Sequence, residues 1–206
     1  MKPEVEAALV RVGDWTGWSF PSRRLSRLER FATWLAEEAI PAGGLGPAER
    51  KRIWPRHVLD SLLFAGAWTE PAPPPHLIDL GSGVGLPGIP LALLWPKSHV
   101  TLVDRSGRRA DLAARAVRIL DLDNVEVVTD DISRQASRWG EMVVARAVGP
   151  LPRVADWAGT WAVPGGRVVI GGSWSAPPTP GPGEHLVEVP PEVLDRPVWL
   201  RIMAAP

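Results

Sequence analysis

Residues 76–80 form a short apolar run that reaches Asp79-Leu80 and passes into Gly81-Ser82-Gly83-Val84-Gly85, with glycine at every other position. The pattern predicts a buried strand emptying into a tight glycine turn, followed by a helix over residues 86–95. Glycine suits such a turn because it accepts positive φ and lets a ligand approach the backbone closely. About twenty residues beyond the turn a second apolar run, Val100-Thr101-Leu102-Val103, ends in Asp104. A carboxylate at the tip of the second strand is placed to accept hydrogen bonds from a pair of ribose hydroxyls. Together these features specify a nucleoside-containing cofactor lying across the strand ends of an α/β sheet.

The frame of the glycines separates two such cofactors. A dinucleotide pattern is present as Gly83-Val84-Gly85-Leu86-Pro87-Gly88, so NAD fits the bare pattern. It starts two residues late relative to the strand, however, and leaves Asp79 inside that strand. The frame Asp79-x-Gly81-x-Gly83-x-Gly85 instead puts a carboxylate at the strand end, where it can face a cationic group. S-adenosylmethionine (SAM) carries an ammonium and a sulfonium and no pyrophosphate, so it calls for acids rather than a bare helix N-terminus. SAM is the favoured cofactor, with Gly81 and Gly83 in its turn and Asp104 at its ribose.

Several chemistries are excluded by composition. The 206 residues suffice for one α/β domain with a helical extension. There is no cysteine, which removes thiolate metal sites and pyrimidine methylation through a cysteine adduct. Four scattered histidines show no metal-ligand spacing, and no metal is expected. Lys+Arg and Asp+Glu both number 23, so no overall basic field announces nucleic acid; a local patch still suffices for a folded RNA. Arginines do crowd at Arg23, Arg24, Arg27 and Arg30, at Arg50, Arg52 and Arg56, and at Arg105, Arg108 and Arg109. A solvated helix face is the plainer reading of each cluster. Eleven tryptophans with no tyrosine serve packing, with a base-stacking platform as the sharper alternative. No signal sequence or membrane-length apolar run is seen, so a cytoplasmic protein without membrane contact is expected.

Residues 1–70 read as a helical extension and 71–206 as the cofactor-binding domain. Leu25, Leu28, Phe31, Leu35 and Ala39 recur at helical spacing, and Ser26 with Glu29 has the form of a capping box. A second helical stretch opens at Pro47 and kinks near Pro55. Beyond the proline linker at 71–75, strands are expected at 76–80, 99–104, 124–129, 141–145 and 166–170, alternating with helices at 86–95, 106–121 and 151–162. Two further runs, 185–189 and 198–203, suit a terminal antiparallel hairpin. The predicted architecture is a Rossmann-like class I SAM-dependent methyltransferase sheet, five parallel strands plus that hairpin. Arg146 follows the apolar run Met142-Val143-Val144-Ala145 and so stands at the carboxyl end of the fourth strand, where such sheets place ligands. Its guanidinium could hold a SAM carboxylate or an RNA phosphate bidentately, and it is the candidate catalytic residue.

Four segments together are more specific than the glycine turn: Arg56-His57-Val58-Leu59-Asp60-Ser61, Leu86-Pro87-Gly88-Ile89-Pro90, Asp104-Arg105-Ser106-Gly107-Arg108-Arg109 and Ala145-Arg146-Ala147-Val148. With them, residues 25–172 resemble the RsmG (GidB) family of bacterial 16S ribosomal RNA methyltransferases, which modify N7 of a guanine in the 530 loop. The resemblance implies that Gly81 and Leu86 line the SAM pocket, Asp104 faces the ribose, Ile132 and Ser133 flank the adenine, and Arg146 lies beside the methyl donor. It also implies a monomer whose partner is 16S rRNA in the small ribosomal subunit, with Arg56, His57, Arg108 and Arg109 as candidate RNA contacts.

The chemistry agrees. Guanine N7 has an in-plane lone pair and no proton, so methyl transfer there requires positioning rather than a general base. No Asn-Pro-Pro-aromatic motif of the exocyclic-amine methyltransferases occurs. The chain departs from its relatives in Gly44-Leu45-Gly46-Pro47, where many carry Asn-Leu-Thr, and in Gly171-Gly172-Ser173, where they usually place a lysine. A loop at 173–183 stands where a helix is expected. Two alternatives therefore stay open: a SAM-binding module without RNA methylation, and a small-molecule methyltransferase.

Overall fold

Near-continuous apolar strands require a sheet covered on both faces, and the computed structural model of the chain has one. It describes residues 1–134, 139–149, 151–172 and 176–206. Three helices come first, α1 (Pro3–Thr16), α2 (Leu25–Trp34) and the short α3 (Leu59–Leu62). The alternating part follows as β1 (His76–Leu80), α4 (Gly88–Leu94), β2 (His99–Asp104), α5 (Gly107–Leu120), β3 (Val125–Thr129), β4 (Gly140–Arg146), α6 (Leu151–Thr160) and β5 (Ala162–Gly171). It closes with β6 (Glu184–Val189), α7 (Pro191–Leu194) and β7 (Val198–Ala204).

The seven strands lie in the order β3-β2-β1-β4-β5-β7-β6. The first five are parallel, and β7 runs antiparallel to both β5 and β6. The expected five parallel strands and terminal hairpin are therefore present. Strand order reverses between β1 and β2 on one side and β4 on the other, which opens a crevice at the carboxyl ends of β1 and β4.

Side-chain alternation splits the interior into two layers. Leu77, Leu102, Val144 and Val169 pack toward α4, α5 and the N-terminal helices, in one continuous core with Leu28, Phe31 and Leu35. Ile78, Leu80, Val143 and Ile170 face the other way, against Val154, Ala158 and Trp161 of the α6 side. Trp95 and Trp161 are fully buried, as the packing reading of the tryptophans expects.

Element boundaries depart from expectation where glycine or proline intervenes. β5 starts at Ala162, ahead of the expected 166, because the strand runs through a register shift opposite Gly140 and Met142, with Gly165 at φ +74°. No capping box forms at Ser26: α2 grows directly out of a 3₁₀ turn at Ser22–Arg24 without a side-chain cap, and Glu29 turns to the Met1 amino group. The stretch from Pro47 is not one kinked helix. It is a 3₁₀ turn (Pro47–Arg52), a wide π-type turn (Ile53–Val58), α3 and a second 3₁₀ turn (Leu63–Ala67). Pro55 has no N–H to give to the helical ladder, so the chain widens around it.

The arginines at 24–30 lie at or near the surface but bond to the sheet layer. Arg30 donates to the Ile119 carbonyl (2.5 Å), Arg27 to the Asp121 carboxylate (3.5 Å) and Arg24 to the Leu93 carbonyl (3.5 Å). They meet the carbonyl-rich C-terminal ends of α5 and α4, where a cation is favoured, and so fasten the helical segment to the sheet layer. Pro150 and Ser173 lie outside the described residues. Among the described residues no helix is long and apolar enough to cross a membrane.

Candidate active site

The crevice at the strand tips holds a cavity of about 590 Å³, within the range for small-ligand sites. Gly81, Gly83, Leu86, Asp104, Ile132, Ser133 and Arg146, all singled out from sequence, line it. So do Asp60, Phe64, Asp131, Val148 and Trp157, which sequence reasoning passed over. Asp60 stands within the quoted Arg56–Ser61 motif, and Asp131 directly precedes Ile132 at the end of β3; both could have been found from those positions.

The glycine turn is open toward the cavity for steric reasons. Gly81 sits at φ +68°, and a Cβ there would stand 2.7 Å from a methyl of Val148, another lining residue. Gly83 sits at φ +57°, and a Cβ on it would meet nothing within 4 Å, so its face of the turn looks into free space. The turn is held by Asp104. Its Oδ2 accepts the Gly83 N–H (2.9 Å), and its Oδ1 accepts the Ser106 N–H (2.8 Å) and the Arg109 guanidinium (2.9 and 3.2 Å). A carboxylate has about four acceptor sites, so Oδ2 retains a lone pair for a hydroxyl donor.

Asp79 does not face a cationic ligand. It is fully buried, and its Oδ2 accepts the Gly88 N–H (2.7 Å) at the start of α4. It points into the same layer as Leu77, on the α4 side of β1. Burial pushes its carboxyl up to about 7, against the Gly88 bond and the attraction of Arg146.

All four RNA candidates have partners within the protein. Arg109 is exposed yet bonds Asp104, and Arg108 donates to the Ala42 carbonyl. His57 is 7% exposed, and its Nε2 lies 2.9 Å from Glu49 Oε2. Burial, then the Arg146 charge, lowers the His57 pKa, so the ring is neutral near pH 7 and donates from Nε2 to Glu49. Nδ1 is left buried without a partner. His57 is thereby tied to Glu49 within the turn. Arg56 is part-exposed, lines the cavity and lies 3.6 Å from Glu49.

Arg146 turns inward. Its Nη1 donates to the Arg56 carbonyl (3.1 Å), tying the tip of β4 to the turn before α3. Burial lowers its pKa, opposed by the attraction of Asp60 and Asp79.

A seven-stranded sheet with this order and one reversed strand, a glycine turn after β1 and a carboxylate closing β2 define the class I SAM-dependent methyltransferase fold. Solved structures agree at the level of fold. A mutant of MtNAS in complex with S-adenosylmethionine superposes with a TM-score of 0.60 at 17% identity, covering 100% of this chain and 80% of that one. TrmN from Thermus thermophilus superposes at 0.53 and 18% identity, covering 71% and 49%.

The family model described as GidB, rRNA small subunit methyltransferase G, matches residues 24–176. Curated proteins called ribosomal RNA small subunit methyltransferase G are similar: that of Salinispora tropica is 41% identical over 155 residues (71% of this chain, 62% of the relative). That of Mycolicibacterium smegmatis is 40% identical over 167 residues (80% and 66%), and that of Nocardioides sp. 36% over 173 (82% and 67%). This chain belongs to the rRNA small subunit methyltransferase G family. The aligned part spans 62–67% of those three relatives' own length.

Proposed function

We propose that this protein transfers a methyl group from SAM to N7 of a guanine in the 530 loop of 16S rRNA within the small ribosomal subunit. One observation carries the reading: Arg56, His57 and Asp60, from a motif well before the sheet, line the same cavity as the glycine turn and Arg146. An isolated nucleotide-binding turn would not bring those segments together.

The residues present fit SAM. The backbone of the turn, with Gly81 and Gly83, would take its methionine part, the free lone pair of Asp104 Oδ2 a ribose hydroxyl, and Leu86, Ile132 and Ser133 the adenine side. When bound, SAM supplies a methyl on a sulfonium centre that leaves as a neutral thioether as guanine N7 forms the new bond. N7 carries no proton, so no side chain has to remove one. His57, neutral and tied to Glu49, is not called on as a base. The work left to the chain is orientation and exclusion of water, with Phe64 and Val148 supplying apolar wall. Residues 1–70 would form the RNA-facing side, with Arg56 at the rim and the exposed Arg50, Lys51 and Arg52 beside it.

Purified small subunits from a host lacking the gene, incubated with SAM carrying a labelled methyl, should acquire one 7-methylguanosine in the 530 loop. Absence of label, or label elsewhere, overturns the assignment. For the cofactor, Asp104→Ala removes both the ribose acceptor and the anchor of Gly83. A hydrogen bond to a charged group is worth about 1.5–3 kcal/mol, so SAM affinity should fall at least about tenfold. Gly81→Val strains a left-handed backbone position and drives into Val148, and should abolish measurable SAM binding. Calorimetry that finds both variants binding as wild type would place the cofactor elsewhere.

A further inference from the structure

Asp60 projects from α3 into the wall of the cavity, with its side chain 16% exposed. Its partner comes from the far end of the chain: Arg196 Nη2 donates to Asp60 Oδ1 at 2.5 Å. Arg196 lies beyond residue 176, outside the segment that matches the family model, and does not itself line the cavity. Its place is fixed by the turn that carries it. α7 ends at Asp195 in the left-handed conformation (φ 58°), Val193 and Leu194 are buried in the core shared with α1, and Arg11 of α1 donates to the Val193 carbonyl (3.2 Å). The chain thus holds a cation rigidly behind a carboxylate of the site.

We infer that Arg196 is a positioning residue of the active site, fixing the Asp60 carboxylate in the cavity wall beside Arg146. The inference rests on the methyltransferase reading above. Three cations act on Asp60 from the elements around it: Arg196 from the α7–β7 turn, Arg146 from β4 and Arg56 from the preceding turn; His57, one turn earlier, is neutral. Burial works in the opposite direction and raises the Asp60 pKa. Asp60 in turn is the first of the two carboxyls, ahead of Asp79, whose negative charge supports that of the half-buried Arg146. Removing Arg196 leaves the buried carboxyl without its hydrogen-bonded countercharge, so it takes up a proton at higher pH. The cavity wall then loses its ionised carboxylate beside Arg146.

The pH dependence of turnover separates positioning from mere support of the fold. Arg196→Ala should turn over more slowly than wild type at pH 6.5 and approach it at pH 9, the gap closing as Asp60 ionises. Arg196→Lys should restore much of the loss at pH 6.5, and Asp60→Asn should stay low at both values. A loss in Arg196→Ala that is the same at every pH, or no loss at all, overturns the inference. Carboxyl NMR gives a readout independent of catalysis: the Asp60 midpoint should rise by about one pH unit or more in Arg196→Ala. If wild-type protein transfers no methyl to subunits, the proposed function fails, and the NMR titration then decides alone. An unmoved midpoint overturns the role of Arg196.

Discussion

Replacing Asp79 with asparagine is expected to stabilise the protein at pH 8 and to change the slope of its stability between pH 4 and 7. The folded carboxyl titrates at about 7 and the ordinary value is 3.8, with burial as the first cause. Between those values the folded chain holds one proton more than the unfolded chain, so raising the pH favours unfolding. The stability attached to protonated Asp79 is complete below about pH 4 and is lost as the pH rises through about 7. A tenfold difference in proton affinity between the folded and unfolded chain is worth about 1.4 kcal/mol, so the whole window amounts to about 4 kcal/mol. Glu49 and Asp131 act in the opposite sense, since their pKa values are lowered. For Glu49 burial works to raise the value but the His57 bond and Arg56 outweigh it; for Asp131 the Ser133 bonds dominate. The informative quantity is therefore the difference between wild type and Asp79→Asn in urea unfolding at a series of pH values. An amide oxygen still accepts the Gly88 N–H, so the start of α4 is retained. Parallel stability curves for the two proteins would mean that Asp79 is not the buried proton carrier.

Asp79 also shows where sequence patterning stops being informative. The frame Asp79-x-Gly81-x-Gly83 locates the turn correctly, because glycine spacing and strand hydrophobicity are local properties that survive any tertiary context. Its side chain lies one residue from the strand end, and β1 is covered on both faces, so alternation cannot tell a ligand-facing carboxylate from one capping a helix behind the sheet. The strands were legible for the same reason as the turn: runs such as Val100-Thr101-Leu102-Val103 leave few other solutions. Arginine directions were not legible. Arg108 and Arg109 sit in a motif that suggests an exposed basic patch, yet each long side chain folds back to a partner, the Ala42 carbonyl and Asp104. The Asp60–Arg196 pair joins residues 136 positions apart, a contact that only the sheet order and the α7 turn create. The irregular winding of 47–67 depends on Pro55 and on packing beneath it, neither of which a helical period records.

Arg146→Lys is expected to lower methyl transfer about a hundredfold, equivalent to about 3 kcal/mol of transition-state stabilisation, while the fold persists. The guanidinium has two tasks that lysine does not reproduce. It reaches the Arg56 carbonyl with Nη1, so it sets the distance between the tip of β4 and the turn that carries Arg56 and His57. It also keeps its charge in half-buried surroundings, because a guanidinium holds its proton far more tightly than the ammonium of lysine, which loses its own readily there. A neutral amine would leave Asp60 and Asp79 with less to balance them. The melting temperature should shift by only a few degrees, since one hydrogen bond to a carbonyl is given up. Calorimetry with SAM then divides the two tasks: weakened SAM binding places the guanidinium at the cofactor, and unchanged binding with lost turnover places it at the RNA. Turnover near wild type together with a lowered melting temperature would reduce Arg146 to a tie between β4 and the Arg56 turn.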